Sequence, residues 1–456
     1  MTTPKFTFID LFAGIGGFHA ALTAMGGECV YAVEIDSAAA KVYERNWGLN
    51  PLGDITVDAS EESVTVPDHD VLCAGFPCQP FSKSGAQHGM DETRGTLFWN
   101  VLRIIQERRP AVVLLENVRN LAGPRHRHEW QIIIETLRTE GYRVSESPAI
   151  MSPHLLPPGQ GGRPQVRERV FITASRLPDD AGLSAEAEPV ATNRPVADWD
   201  PQTWNLEDDL PLEDFTSVPE CVLTNSERLW IDAWDDFVIK MWELRDGRRL
   251  PGFPLWADEW RDPASLDSKR LIEEPKWKAD YLVKNAEFYM AHRTFIDNWT
   301  KKWGVFTDAF PSSRRKFEWQ AQDTPRLWDA VMHFRPSGIR AKAPTYLPAL
   351  VAITQTSVIG TRERRLSPRE ATRLQGLPDW FDFGSQRTAL TYRQLGNGVS
   401  IGAIWHVLRS HAQRDEEILK WTQPKFLKAA LSSPKSPDEI LVAMGSKKLE
   451  KKTNHS

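Results

Sequence analysis

The stretch FIDLFAGIGGF, residues 8–18, decides how the chain is read. It opens as a short apolar run of the kind that forms a buried strand, then places Gly14, Gly16 and Gly17 where the strand turns into a helix. Glycines at such a turn let a ligand approach the backbone, although a tight strand-to-helix turn without a ligand has the same composition. The rhythm continues outward. CVYAVE (29–34), VLCAG (71–75), VVLLE (112–116) and RVFITA (169–174) read as strands. Helical patterns run to Met25, through Tyr43, and around Val101 to Arg108 and Gln131 to Arg138. This alternation predicts an α/β fold over the first ~175 residues, a parallel sheet wrapped by helices.

At 456 residues and 41% hydrophobic content the chain has room for a large core and at least one further lobe. Its net charge of −5 excludes a protein that is basic throughout, so contact with nucleic acid needs a local basic surface. The four cysteines, Cys29, Cys73, Cys78 and Cys221, lack the paired spacing of a zinc knuckle or a disulfide framework, and no metal site is expected. Met1 to Lys5 lacks the features of a signal peptide, and no apolar run approaches the ~20 residues that span a bilayer. A cytoplasmic protein without membrane contact is expected.

Beyond Arg176 the character changes. Residues 176–220 are strongly acidic and proline-bearing with little periodicity, as in a linker or solvated loop. Trp199 to Trp328 holds twelve of the eighteen tryptophans, which suits an inserted lobe with a core of its own. From 331 to 410 basic residues outnumber acidic ones and the stretch closes on an apolar helical pattern at Ile401 to Leu408. After Gln413 the pattern allows one amphipathic helix, and the terminal SKKLEKKTNHS is expected to be disordered because it has almost nothing to bury.

Several side chains fall at strand ends, where doubly wound folds place their ligands. Glu34 ends the second strand, in position to accept hydrogen bonds from ribose hydroxyls. Asp54, between Gly53 and Ile55, supplies a second carboxylate or caps a helix. In CAGFPCQPFSKSG, Cys78 follows a buried strand between Pro77 and Pro80, an unusual setting for a packing thiol. VVLLENV brings Glu116 to the same edge if the two strands are parallel, where burial would raise its proton affinity and let it protonate a ring nitrogen. In QVRERV, Arg167 and Arg169 alternate along a strand and point to one face, a pair suited to a carboxylate or phosphate. FSKSGAQHGMDETRGT, directly after Cys78, has the composition of a closing loop.

In the order FIDLFAGIGGF, Glu34, GDI, GFPCQPFS, ENV, QVRERV, a variable region, RLSPREATRLQGLP and QLGNGVS, the chain resembles the DNA cytosine-5 methyltransferases. The resemblance covers Phe6 to Ala174 and Arg362 to His406. It implies a Rossmann-like S-adenosylmethionine-dependent methyltransferase sheet with an inserted, smaller target-recognition domain. The catalytic domain would be discontinuous, 1–178 and 360–412, with the target-recognition domain at 179–359 and a tail at 413–456. It also implies transfer of a methyl group from S-adenosylmethionine to C5 of a flipped-out cytosine, leaving S-adenosylhomocysteine.

By the same resemblance Phe12, Gly14, Ile15 and Gly17 line the methionine end of the cofactor, Glu34 the ribose, and Asp54 with Ile55 the adenine, while Pro77 and Leu97 complete the pocket. Ile35 stands where relatives often carry a stacking aromatic. Cys78 would attack C6 and Glu116 protonate N3. Arg167 would contact the base or its phosphate and help keep Cys78 a thiolate, and Arg169 would orient Glu116. Asn397 would contact the cofactor region or support the catalytic loop. Ser82 and Ser84 match positions that contact DNA, and Arg335, Arg340, Lys342 and Gln355 are the candidate DNA-binding residues of the variable region. The glycine-rich SPHLLPPGQGG, with Arg163, would reshape the DNA-facing cleft. The implied partner is double-stranded DNA, met by a monomer, with a restriction endonuclease as a functional counterpart that does not bind stably. An RNA-modifying branch shares the scaffold, but the long insert and GFPCQPFS favour DNA.

Overall fold

The computed structural model describes residues 5–77, 96–178, 182–190, 196–214, 218–350 and 356–453, with side chains to 446. The predicted strands form one sheet. β1 (Phe6–Leu11), β2 (Gly27–Val33), β3 (Val71–Ala74) and β4 (Val112–Val118) run parallel in the order β2-β1-β3-β4. Then come β5 (Tyr142–Val144), β6 (Ala149–Met151), β7 (Gln165–Val166) and β8 (Arg169–Arg176). Here the sheet departs from the parallel expectation. β8 lies antiparallel between β4 and β5, and also pairs antiparallel with β6. The chain leaves β6 and enters β8 at the same edge of the sheet, pairing Met151 with Arg169, so no crossover helix is needed and the return is antiparallel.

Both faces of this sheet are covered, and neighbouring strand residues divide between two cores, as a period of two requires. Ile9, Leu72 and Leu115 pack with the helices Leu97–Arg108 and Arg127–Thr139. Phe8, Cys73 and Leu114 belong to the other core, with Leu395, Ile401, Trp405 and Leu408 from the far end of the chain. The helix Ile401–Arg414 therefore completes a layer begun by Gly17–Ala24.

The tail does not behave as expected. It forms helices over Glu416–Thr422, Pro424–Ser432 and Asp438–Thr453. Phe426, Leu427 and Leu441 are buried in the core that holds Phe8 and Trp405, and the Phe426 ring meets Phe6 edge-on at 5.3 Å. Side chains the sequence shows as sparse apolar positions thus find partners some four hundred residues away. The acidic segment also has partners. Val144 N donates to Ala185 O, and the indole N–H groups of Trp199 and Trp204 both donate to His154 O.

The insert builds a second sheet in the order β15-β14-β11-β12-β10-β9, from β9 (Leu255–Trp256), β10 (Lys316–Gln320), β11 (Val331–Arg335), β12 (Gly338–Lys342), β14 (Val358–Ile359) and β15 (Arg364–Arg365). It reaches Arg365, slightly past 359. Its core holds Trp234, Phe237, Trp299, Phe317 and Trp319, with Trp234 stacked on Phe317 at 4.6 Å, so these tryptophans are packing residues. A two-residue ladder joins the lobes: β7 pairs with β13 (Leu347–Pro348), which returns from the insert.

Candidate active site

The glycine turn is shaped by left-handed backbone at Phe12 (φ 57°), Gly14 (φ 54°) and Gly16 (φ 93°). A Cβ on Gly14 would meet no atom within 4 Å, whereas one on Gly16 would strike the Trp47 indole at 2.1 Å. Gly14 borders open space and Gly16 serves packing. Glu34, just beyond β2, accepts from Gly14 N at 2.8 Å through one carboxylate oxygen and from Asp36 N at 2.7 Å through the other. Each oxygen keeps a lone pair for a further donor.

These residues border a cavity of about 590 Å³ at the carboxyl edge of the parallel strands. Phe12, Gly14, Ile15, Glu34, Pro77, Glu116, Arg169 and Asn397, all named from the sequence, line it. Gly17, Ile35, Asp54, Ile55 and Leu97 do not appear in its lining. Gly17 starts a helix, and a Cβ there would lie 3.1 Å from Val399 O. Asp54 is an N-cap, accepting from Thr56 N at 2.9 Å. Ile55 is buried under that cap, Leu97 opens the helix to Arg108, and Ile35 is 74% exposed. Cys78, Ser82, Ser84 and Gln355 lie outside the described residues.

Glu116 lies within β4 beside that cavity, with Gly75 leaving room for its carboxyl. Burial pushes the carboxyl up to about 6, against the opposing pull of Arg169 and Arg167. Arg169 Nε sits 3.0 Å from Glu116 Oε1 and fixes the carboxyl plane. Asn117 Nδ2 donates to Phe76 O at 2.8 Å, holding the turn that leads to Cys78. An oriented carboxyl that titrates near 6 keeps a protonated fraction of about a tenth at pH 7 and is equipped to give a proton to a ring nitrogen and take it back.

Arg167 is placed differently from the base contact expected of it. The strand breaks between Val166 and Arg169, so the alternation rule does not hold through Arg167. Its guanidinium is 1% exposed and donates to Leu350 O at 3.0 Å, Gly396 O at 2.6 Å and Gly398 O at 2.5 Å. The glycines of the segment before it do not line that cavity. A Cβ on Gly402 would sit 1.9 Å from Gly161 O, so these glycines let the helix from Ile401 dock. Arg163 pairs with Asp438 at 2.7 Å.

Residues 6–413 match the family described as C-5 cytosine-specific DNA methylase. The chain belongs to that family. This methylase is 52% identical to Type II methyltransferase M.AluI of Cellulosimicrobium cellulans, over 97% of this chain and 98% of that protein. It is 42% identical to Type II methyltransferase M.HgiBI of Herpetosiphon aurantiacus, over 87% and 94% of the two chains. With Type II methyltransferase M.HhaI of Haemophilus parahaemolyticus it shares 45% identity over 37% of this chain and 49% of that one. It is a DNA (cytosine-5-)-methyltransferase of the kind found in type II restriction-modification systems.

Two charged residues of the methylase's cavity, Asp36 and Arg393, escaped the sequence reading. Asp36 caps the helix Ser37–Trp47 and pairs with Arg393 at 2.7 Å, closing the wall between Glu34 and Asn397. The Asp-Ser start after Glu34 signals a cap, but its partner 357 residues on carries no local signal. In the insert, Arg335, Arg340 and Lys342 share one face of the β11–β12 hairpin with His333. Arg340 Nε is 2.7 Å from Glu318, whereas Lys342 lies over the Tyr346 ring at 5.7 Å and is pulled down by burial and then by Arg340 and Arg335. Three cations gathered on one half-buried face favour an anionic partner. Among the described residues no helix is long and apolar enough to cross a membrane.

Proposed function

We propose that this methylase transfers a methyl group from S-adenosylmethionine to C5 of cytosine in a specific double-stranded DNA sequence, through a transient bond from Cys78 to C6. The observation that carries this reading is one cavity walled both by the Glu34–Gly14 cradle and by Glu116, a buried carboxyl poised near neutrality. The cradle suits the cofactor. Gly14 is open and Glu34 retains acceptor capacity for ribose hydroxyls. When bound, S-adenosylmethionine supplies an electrophilic methyl group.

The chain's residues do the rest. The Cys78 thiolate donates an electron pair to C6 while the Glu116 proton passes to N3, and the C5–C6 π electrons become available at C5. Arg169 holds Glu116 in the plane of the accepting nitrogen and stabilises its charged form once the proton has left. C5 takes the methyl group, N3 returns its proton to Glu116, and solvent accepts the C5 proton as the C5–H electrons re-form the ring double bond and expel the Cys78 thiolate. A stacked cytosine cannot reach Glu116, so the base is swung out of the duplex. Residues 1–178 and 360–412 act as the catalytic domain and 179–359 as the target-recognition domain. There Arg335 and Lys342, with Arg340 and Gln355, meet the DNA, and Ser82 and Ser84 meet it beside the cysteine. The enzyme acts in the cytoplasm as a monomer on DNA, with a cognate endonuclease as its counterpart.

The test uses duplex DNA carrying 5-fluorocytosine, with tRNA as a parallel substrate. A denaturation-resistant adduct should form with the wild type and S-adenosylmethionine, and none with Cys78→Ala. Methyl transfer to tRNA alone would overturn the reading.

A further inference from the structure

Arg167 is buried, yet among the described residues its cationic head forms no ion pair with a carboxylate. Burial pulls it down to about 9, and Arg169 adds to that. What it touches is backbone from two remote places. Leu350 belongs to the segment returning from the insert, 183 residues along the chain, and Gly396 and Gly398 frame Asn397 in the segment before the helix Ile401–Arg414. Leu350, Gly396 and Asn397 all line the 590 Å³ cavity. The backbone N–H of Arg167 is itself fixed by Ser152 Oγ at 2.8 Å. Ser152 Oγ also meets His154 Nδ1 at 2.8 Å, and His154 packs against Tyr346, over which Lys342 of the cationic hairpin lies. One guanidinium therefore bonds the returning insert to the wall of the methyl-donor cavity. The short β7–β13 ladder crosses between the lobes immediately before it.

We propose that Arg167 is a positioning residue that couples occupancy of the methyl-donor cavity to the seating of DNA on the insert, by holding Leu350, Gly396 and Gly398 on one guanidinium. The inference rests on the function proposed above for the cavity and the insert. A bound cofactor that fixes Gly396 and Asn397 also fixes Leu350 through Arg167, and DNA that holds Leu350 in place fixes the cavity wall in turn. Such coupling is reciprocal by linkage. The geometry is specific to arginine: three carbonyls are reached by two terminal nitrogens of a planar fork, and a lysine ammonium on a shorter reach satisfies fewer of them.

The experiment measures dissociation constants for S-adenosylhomocysteine and for a duplex containing the sequence this enzyme protects, each alone and with the other saturating. Wild type, Arg167→Lys and Arg167→Ala are compared. In the wild type each ligand should tighten the other by the same factor, roughly 5-fold or more. That factor should fall toward 1 in Arg167→Ala and take an intermediate value in Arg167→Lys, with binding of each ligand alone changed far less. A residue serving only stability would weaken binding without changing the ratio. If Arg167→Ala does not fold, Arg167→Lys decides by the same ratio. An unchanged ratio in a folded variant overturns the proposal, as does a wild-type ratio of 1. Failure of the wild type to bind or methylate duplex DNA would instead overturn the function on which it rests.

Discussion

At the scale of single residues, Glu116 links the fold's stability to its chemistry. Its carboxyl rises from 4.5 to about 6 because burial outweighs the two nearby arginines. Below pH 4.5 the group is protonated folded or unfolded. Between 4.5 and 6 the unfolded chain loses the proton first, so the native state loses stability as pH rises, and above 6 the deficit is constant. At ~1.4 kcal/mol per unit the deficit is about 2 kcal/mol. Glu116→Gln should therefore gain about that much relative to wild type between pH 4.5 and 7.5 in urea denaturation, while losing methylation. A stability difference that stays flat with pH would contradict the assigned burial effect. Gly14→Ala tests the other wall. It meets no atom, but its left-handed φ of +54° costs about 1 kcal/mol and its methyl enters the cradle, so calorimetry should show weakened S-adenosylhomocysteine binding by a folded variant. Glu34 and Glu116 were legible because a strand's end is a local event. Arg167 was not: its role is set by carbonyls 183 and 229 residues away.

At the scale of elements, the motif SPHLLPPGQGG shows how close packing hides in composition. Its glycines read as a cleft-shaping loop, but Gly161 lies directly under Gly402 at the start of the helix from Ile401. Gly402→Ala has no side chain to displace, only the Gly161 peptide at 1.9 Å, and should cost roughly 1–3 kcal/mol or more. Because Gly396 to Gly398 precede this helix, product binding should weaken together with the fall in melting temperature. A variant with unchanged melting temperature would show that the two segments separate readily. The strand–helix alternation of the first 175 or so residues was readable because apolar periods of two and 3.6 are written locally. The antiparallel direction of β8 was not, since RVFITA has the same composition in either direction. The junction of the lobes depends on a fully buried pair, Arg364 and Glu370, at 2.6 Å, with Glu370 also closing a capping box with Ser367. Arg364→Ala leaves that carboxylate unpaired and should cost roughly 3–5 kcal/mol by thermal denaturation, whereas a loss under 1 kcal/mol would mean water reaches the site.

At the scale of the whole molecule, the contrast between the insert's core and the core around Phe8 and Trp405 explains why the sequence speaks clearly about chemistry and weakly about shape. The insert's tryptophan core is its own, and its richness in aromatic residues announced it. The core around Phe8 and Trp405, by contrast, is assembled from Phe6 at one end of the chain to Leu441 near the other. Each tail helix carries too few apolar positions to signal burial alone, and only the assembled fold supplies the surface that Phe426, Leu427, Ala429 and Ala430 cover. The Trp405 indole N–H further donates to Pro434 O, and Trp380 to Leu441 O, so the tail also accepts donors that would otherwise face an apolar interior. Removing residues 424–456 therefore strips a wall from the catalytic core. Re-exposing these side chains and their partners is worth on the order of 5–10 kcal/mol, comparable with the 5–15 kcal/mol by which a typical domain is stable. The shortened chain should be recovered mainly in the insoluble fraction and should show no cooperative melting of the catalytic core. Soluble protein melting within a few degrees of wild type and still binding S-adenosylhomocysteine would mean that the Phe6–Phe426 contact is an accessory to a core that closes without it.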